Sequence, residues 1–595
     1  MKLSKLYSNQ PDKFEPIIFN EGLNFVYGDV RHPKNHQLDS HNLGKTTLAL
    51  LLDFLFLAKK DSNQFLYVNF EMFENFIFFL EINLNENQYL TVRRSVTEGS
   101  KASFITHEQP NQDFRNLADS QWNHFELPFE KAKSYLDGEL NLTAIKHWKY
   151  RKLINYLIRT QDDFGEVFQL NKHRGKDADW KPYMADLLGF DGDLARQRYD
   201  IVKQETDIKT QIKEKNNFDE KSASEALSKV DGRLLLRKTE LSEIQEFVEN
   251  FDFHEIDKQA IEQLVAEIDN QIVYLNMKEY SLKNSIFHIE QSFAEDKIKF
   301  NPNEVKALFD EVNVLFPDQV TKDFEQLIAF NKAITKERNG YLKKELAENK
   351  VELENISSQL KLLNEQRSEH LRFLKESELV NKFRESNRQI ATIQADILNL
   401  EQQKENIEQI LDLQKQQRAL KLSLDDIENK MQTNVAEVNN GNDNTFAKIR
   451  LYFNEIIAKV LNKRGELFVF LNNEGNLEFK AEYQDKTGKN TSESKGNTYQ
   501  KFLCIAFDLA VTRAYLGQNF PKFIYIDGVF DGLDDRKKTL LLDILREYSN
   551  IGIQIIATTI NSEIQGLAEP LHDSEVILTL HDDGQNGRLF KMPIW

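Results

Sequence analysis

Two stretches of heptad-spaced apolar residues, parted by a short proline-bearing segment, constrain this chain more than any other feature. The first passes through Ile261, Leu264, Ile268, Leu275, Leu282, Ile286 and Ile289, in a region from about Leu194 to Phe293 almost free of proline. The second passes through Leu342, Leu346, Leu353, Ile356, Leu360 and Leu363, then Ile390, Ile393, Ile397, Leu400 and Ile407, then Leu424, Ile427, Met431, Val435 and Val438. Apolar residues at three- and four-residue steps line one side of a helix, and a stripe kept over many turns needs a partner helix to cover it. Polar Asn349 and Lys404 stand at seam positions, where they are suited to fixing register. Between the seams, Asn301-Pro302-Asn303 and Phe316-Pro317-Asp318 carry helix-breaking or helix-starting signals, so the chain is expected to turn back there.

Two arms of similar length around a turn fold most simply as an intramolecular antiparallel coiled coil. At about 1.5 Å per residue, an arm of roughly 100 residues extends on the order of 150 Å. The alternative is two parallel strands of a dimeric rod with unrelated end domains. The ends of the chain decide against it, because both read as mixed α/β. Strand-like Leu23 to Tyr27, Phe76 to Leu84 and Tyr89 to Val92 precede Gly192, and Leu467 to Leu471, Phe523 to Asp527, Gly552 to Ala557 and Glu575 to Leu580 follow residue 440. The expected organisation is therefore one half of a head over 1–190, an ascending arm over 191–294, an apex over 295–330, a descending arm over 331–440 and the second half of the head over 441–595.

The 595-residue chain exceeds the usual span of one compact domain. Cys504 is the single cysteine, which excludes an intrachain disulfide, a cysteine zinc site and hence a zinc hook at the apex, and fits a reducing compartment. The apolar run Leu48 to Ala58 contains Asp53 and is far short of a bilayer span, so a cytoplasmic protein without membrane insertion is expected. A net charge of −18 argues against a wholly basic nucleic-acid binder but leaves room for a local positive groove.

Asn42-Leu43-Gly44-Lys45-Thr46-Thr47 follows a strand and opens the apolar helix Leu48 to Leu57. This is the second half of a P-loop, in which backbone N–H groups receive phosphates, Lys45 bridges the terminal phosphates and Thr46 coordinates magnesium. The usual first glycine is absent, since Asp39 stands at its position and the glycine after the strand is Gly28. An insertion over Asp29 to His41 is expected to fold over the nucleotide. Phe523-Ile524-Tyr525-Ile526-Asp527 has the form of a buried strand ending in a magnesium-associated aspartate, and would equally suit a strand with a polar end. Upstream, Ser494-Lys495-Gly496-Asn497 precedes a long helix through Phe502, Ile505, Leu509 and Val511, and downstream comes Gly532-Leu533-Asp534-Asp535.

A split P-loop, a coiled-coil pair, a Ser-x-Gly, a strand ending in Asp527 and a Leu-Asp turn, in this order, resemble the SMC and double-strand-break-repair ATPases. The resemblance is nearest to the smaller prokaryotic YydD-like group, members of which occur in antiphage operons such as Lamassu. It implies an α/β ABC-type ATPase head assembled from N- and C-terminal segments and joined by a long antiparallel coiled coil, with ATP and Mg2+ as cofactors. It implies that Ser494 and Gly496 contact the γ-phosphate held by a second, identical protomer. It further implies that Asp534 lies in the D-loop and that Gln161 is the Q-loop residue at nucleotide and metal, although Gln161 before Asp162-Asp163 equally suits a surface helix end.

Two departures from that pattern bear on chemistry. Gly528 stands where a catalytic Glu normally follows the aspartate, and Ala557 leads into Thr558-Thr559-Ile560-Asn561 where a His is usual. Loss of the carboxylate is expected to slow hydrolysis more than binding, with Asp531 the nearest candidate replacement or else an ordinary loop residue. Lys146, His147, Lys149, Arg151 and Lys152 form a basic cluster able to grip the phosphates of double-stranded DNA, and Lys486, Lys489 and Lys495 form another; either is also read as a solvated face. Three functions follow. The first is an ATP-gated DNA sensor or clamp in a bacterial antiphage complex, acting with a small accessory subunit and a separate nuclease or other effector. The second is a repair or chromosome-organising ATPase, and the third a nucleotide-bound scaffold without catalysis.

Overall fold

The computed structural model describes residues 1–31, 43–85, 87–145, 148–171, 177–215, 220–250, 255–295, 317–370, 378–484 and 497–593. These fall into two units, Met1–Gln204 with Leu420–Trp595, and Glu205–Ala419.

The first unit is α/β. Its N-terminal segment supplies β1 (Lys2–Ser8), β2 (Ile17–Ile18), β3 (Leu23–Asp29), β4 (Ile77–Asn85), β5 (Gln88–Ser95), β6 (Lys101–His107), β7 (His124–Pro128) and β8 (Ile158–Arg159). Its C-terminal segment supplies β9 (Arg464–Leu471), β10 (Leu477–Gln484), β11 (Phe523–Ile526), β12 (Gln554–Ile560) and β13 (Val576–His581). An antiparallel sheet of order β2-β1-β4-β5-β6-β7 comes from the N-terminal segment alone, and β9 pairs with β10. The sheet that bears on function has the order β13-β3-β12-β11-β8, with every pairing parallel. Strand β3 lies between β12 and β13, and β11 between β12 and β8, so neither end of the chain builds this sheet by itself. All four residues of β11 and the first six of β12 are buried, the near-continuous apolar pattern of parallel strands covered on both faces.

Helix α1 (Lys45–Leu55) and helix α2 (Tyr150–Leu157) come from the N-terminal segment of this unit. The same core holds a helix over Asn497–Ala514, whose residues from Phe502 to Val511 are buried except for polar contacts through Asp508. A helix apolar all round is an interior helix. Asp508 is matched there by Arg159 of β8. The guanidinium donates to both carboxylate oxygens, at 2.7 and 3.1 Å, and to the carbonyls of Asp163, Glu166 and Val167. Burial pushes Asp508 up to about 6 against the pull of Arg159. Cys504, on the same helix, is buried and its thiol is pushed up to about 12 by burial, which makes it an inert core side chain.

The second unit is helical. The chain leaves the head along α3 (Gly192–Glu214), continues as α4 (Glu220–Glu249) and α5 (Glu255–Glu295), and returns as α6 (Pro317–His370) and α7 (Glu378–Asn440). Within the unit, Val230 and Leu234 of α4 pack on Ile393, Ile397, Ile407 and Ile410 of α7, and Ile272 of α5 packs on Ile356 and Leu360 of α6. The ion pairs give the direction. Asp231 meets Lys404 and Arg237 meets Asp396, while Asp269 meets Arg367 and Glu290 meets Lys350, so numbers rise on one helix as they fall on its partner. Both pairs are antiparallel, and seam residue Lys404 takes a cross-helix carboxylate at 2.8 Å. Leu264, a seam residue by spacing, is 43% exposed. Residues 317–330, expected in the apex, belong to helix α6, because Pro317 opens it and suits a first-turn position lacking an N–H partner. Val305, Leu308, Phe309, Val314 and Leu315 of the expected apex lie outside the described residues.

Candidate functional site

Three further helices complete the site's surroundings: α8 (Asn497–Ala514), already seen in the core, α9 (Asp535–Asn550) and α10 (Asn561–Ile564). Strand β3 delivers the chain toward α1, whose first turn is Lys45, Thr46 and Thr47. Gly44 precedes it at φ 100, ψ 15, a conformation open to glycine at little cost, and a Cβ there would stand 2.6 Å from that of Leu589. Leu589 N–H donates to the Leu43 carbonyl at 3.1 Å, so the end of the chain braces the turn at its beginning. The Gly44 carbonyl accepts from Leu48, and the N–H groups of a first helical turn have no intrahelical acceptor.

Asp527, at the end of β11, is fully buried. Thr46 Oγ1 donates to its Oδ2 at 2.6 Å, and Thr558 Oγ1 donates to its Oδ1 at 2.8 Å. The Gly528 N–H donates to Thr558 Oγ1 at 2.7 Å, which orients that hydroxyl toward the carboxylate. Tyr525, also buried, donates its hydroxyl to the Lys45 carbonyl at 2.6 Å, tying β11 to the first turn of α1. Two segments far apart in sequence thus place a hydroxyl, a carboxylate and a lysine together.

Around Gly528 the groups converge. Its φ is +67, and a Cβ there would stand 2.9 Å from Lys501 Nζ, 3.6 Å from Gln161 Nε2 and 3.7 Å from Asp531 Cβ. Gln161 opens a short 3-10 turn after β8 and is brought to Asp527 and Gly528 by the pairing of β8 with β11. Lys501 Nζ lies 3.6 Å from Asp531 Oδ2, and Asp531 closes a turn by donating its N–H to the Gly528 carbonyl. Burial holds both Lys45 and Lys501 below the usual lysine range, and the same three carboxylates, Asp527, Asp531 and Glu563, pull each of them back up. Glu563 sits on α10 and accepts from Thr559 Oγ1 and the Ile560 N–H. No expectation from sequence had named Lys501, Thr558 as an Asp527 partner, Tyr525 or Glu563. Only the Thr558-Thr559 pair at the usual His position gave a signal.

Other expected site residues fall elsewhere. Asn42, Ser494, Gly496 and Lys146 lie outside the described residues, as do His147, Lys486, Lys489 and Lys495. Thr47 is half-buried in the first turn of α1. Asp534 is the N-cap of α9, accepting from the Lys537 N–H at 3.1 Å and pairing with its ammonium at 2.7 Å. Two described members of the basic cluster contact neighbouring segments. Arg151 binds Asp53 Oδ1 at 2.7 Å, and Lys152 donates to the Asp179 carbonyl at 2.6 Å, because the turn of α2 directs both toward neighbouring segments. Lys149, just before α2, is exposed.

The family model that matches this chain is described as an uncharacterised protein conserved in bacteria (DUF2326), over residues 454–594, less than half of the sequence. No curated protein matches. Among solved structures, the chain is similar to an Smc head domain with a coiled coil and joint derived from Pyrococcus yayanosii, at 14% identity, covering 94% of this chain and 92% of that one with a TM-score of 0.34. It is also similar to an Smc head domain with an extended coiled coil bound to the C-terminal domain of ScpA, derived from Pyrococcus furiosus, at 12% identity, 94% and 90% coverage and a TM-score of 0.31. At such TM-scores the fold rests on the strands and helices described above. No described helix is long and apolar enough to cross a membrane.

Proposed function

We propose that the chain binds ATP with magnesium at a site assembled from its two ends, hydrolyses it slowly, and uses the bound state to join two heads. The observation that carries this is the 2.6 Å contact of Thr46 with Asp527 at the mouth of a glycine-opened helix. A hydroxyl and a buried carboxylate, both oxygen donors, suit magnesium, which prefers few protein ligands and keeps several waters. Thr46 and Asp527 would hold the magnesium, which would supply positive charge to offset that of the phosphates. Lys45 and the first-turn N–H groups of α1 would take the phosphates, and a role for Gln161 at the nucleotide and metal rests on the resemblance, with its Nε2 bordering Gly528. Gly528 offers no carboxylate to orient a water, which favours slow turnover. Association of two heads through Ser494 and Gly496, and a place in a bacterial antiphage complex with an accessory subunit and an effector, rest on the resemblance in sequence order. Of the residues expected to meet DNA, Arg151 pairs with Asp53, whereas Lys149 is exposed.

Calorimetric titration of the full chain with ATP and magnesium tests the proposal. Wild type should bind and Lys45→Ala should not. Equal affinity in the two proteins would remove the assignment.

A further inference from the structure

Among the described residues, Lys501 is the basic group at the site to which the P-loop scheme gives no task. It leaves α8 from the core side and is 10% exposed, over the Phe164 ring at 5.0 Å, with its ammonium beside Gly528. Its ion-pair partner Asp531 is 65% exposed and 3.6 Å away, a loose and largely solvated match for a buried cation. Buried charges persist where they are paired, and a partner in solvent offsets the loss of hydration poorly. The position is informative too. A side chain at residue 528 would occupy the space that Lys501 Nζ fills, and Gln161 Nε2 borders the same point.

We propose that Lys501 is a second phosphate-binding cation of the nucleotide site, supplied by the same chain, which leaves Asp531 to contact the terminal phosphate oxygens of ATP. This rests on the nucleotide function proposed above. Three carboxylates, Asp527, Asp531 and Glu563, act on both Lys45 and Lys501, so the two ammoniums share one electrostatic enclosure. Burial weakens the hold of Lys501 on its proton against the pull of these carboxylates. A triphosphate brings the missing negative charge. A diphosphate ends one phosphate earlier, and Lys501 would stay with Asp531.

The inference predicts discrimination between ATP and ADP rather than binding as such. Titrations of the full chain with AMP-PNP and with ADP, both with magnesium, measure the affinity ratio. Lys501→Met should reduce the preference for AMP-PNP roughly tenfold or more, the effect of one charge-assisted hydrogen bond, and leave ADP affinity within about twofold. Lys501→Arg should retain the preference, which a purely structural role for the lysine would not require. Asp531→Asn alters an exposed side chain, so it should fold, and by releasing Lys501 it should raise the preference. An unchanged ratio in Lys501→Met, or in Asp531→Asn if the first variant does not fold, overturns the inference while the nucleotide function stands. Absence of binding of either nucleotide by wild type overturns both.

Discussion

Thr46 Oγ1 and Asp527 Oδ2 meet at 2.6 Å across 481 positions of sequence. The contact exists because β3 and β11 flank β12 in one parallel sheet, and each carries one of the two residues' segments to the same edge. Asp527→Asn should therefore reduce ATP affinity by tenfold or more with magnesium present and by much less with a chelator. Titration under both conditions checks this. Equal losses would mean that Asp527 supports the fold rather than the metal.

Replacing Arg159 by Ala strands the buried carboxylate of Asp508 and should cost about 3–5 kcal/mol, as breaking one side of a buried pair does. The double change Arg159→Met with Asp508→Leu should recover most of that loss. Thermal unfolding of wild type and the two variants decides, and a double variant no more stable than Arg159→Ala would show that the carbonyls bound by Arg159 matter more than its charge.

At Gly528, the left-handed backbone and the neighbouring ammonium both oppose a side chain. Gly528→Ala should cost about 1–2 kcal/mol from the backbone conformation alone. Gly528→Glu should lower stability without raising ATP turnover, because the new carboxylate meets Lys501 before it reaches a water. Rapid phosphate release by Gly528→Glu would contradict this account.

Phe590 packs against Phe14, Phe65, Phe73, Phe76 and Phe78, next to the Leu589 that braces Gly44. Phe590→Ala should cost about 3–5 kcal/mol by leaving a cavity and should loosen the turn at Gly44. Protease sensitivity near Gly44 and the unfolding temperature measure the two effects, and an unmoved temperature would show that the cluster repacks.

The sequence made some of this legible and hid the rest for identifiable reasons. Gly44 to Thr47 and the strand ending in Asp527 are local patterns, so spacing alone exposes them, and heptad steps likewise reveal the helices that pair through Asp231 and Lys404. Lys501 is invisible in that way, because its helix is apolar on all sides and its neighbours arrive from β8 and from the turn after β11. Thr558 acquires meaning only once β12 lies beside β11. Adjacency in sequence also hides that helix α2 turns Arg151 toward Asp53 and Lys152 toward Asp179, while Lys149 stays exposed.

The interleaving of early and late strands also sets a clock on biosynthesis. At about 5–20 residues per second, the ribosome takes roughly half a minute to a minute and a half to pass from Thr46 to Asp527. Until then β3 has neither of its neighbours, and both of its hydrogen-bonding edges are without those partners. A chain interrupted anywhere in the helical arms carries only β3 and β8 of the five strands and lacks Asp527, so Thr46 has no carboxylate to meet.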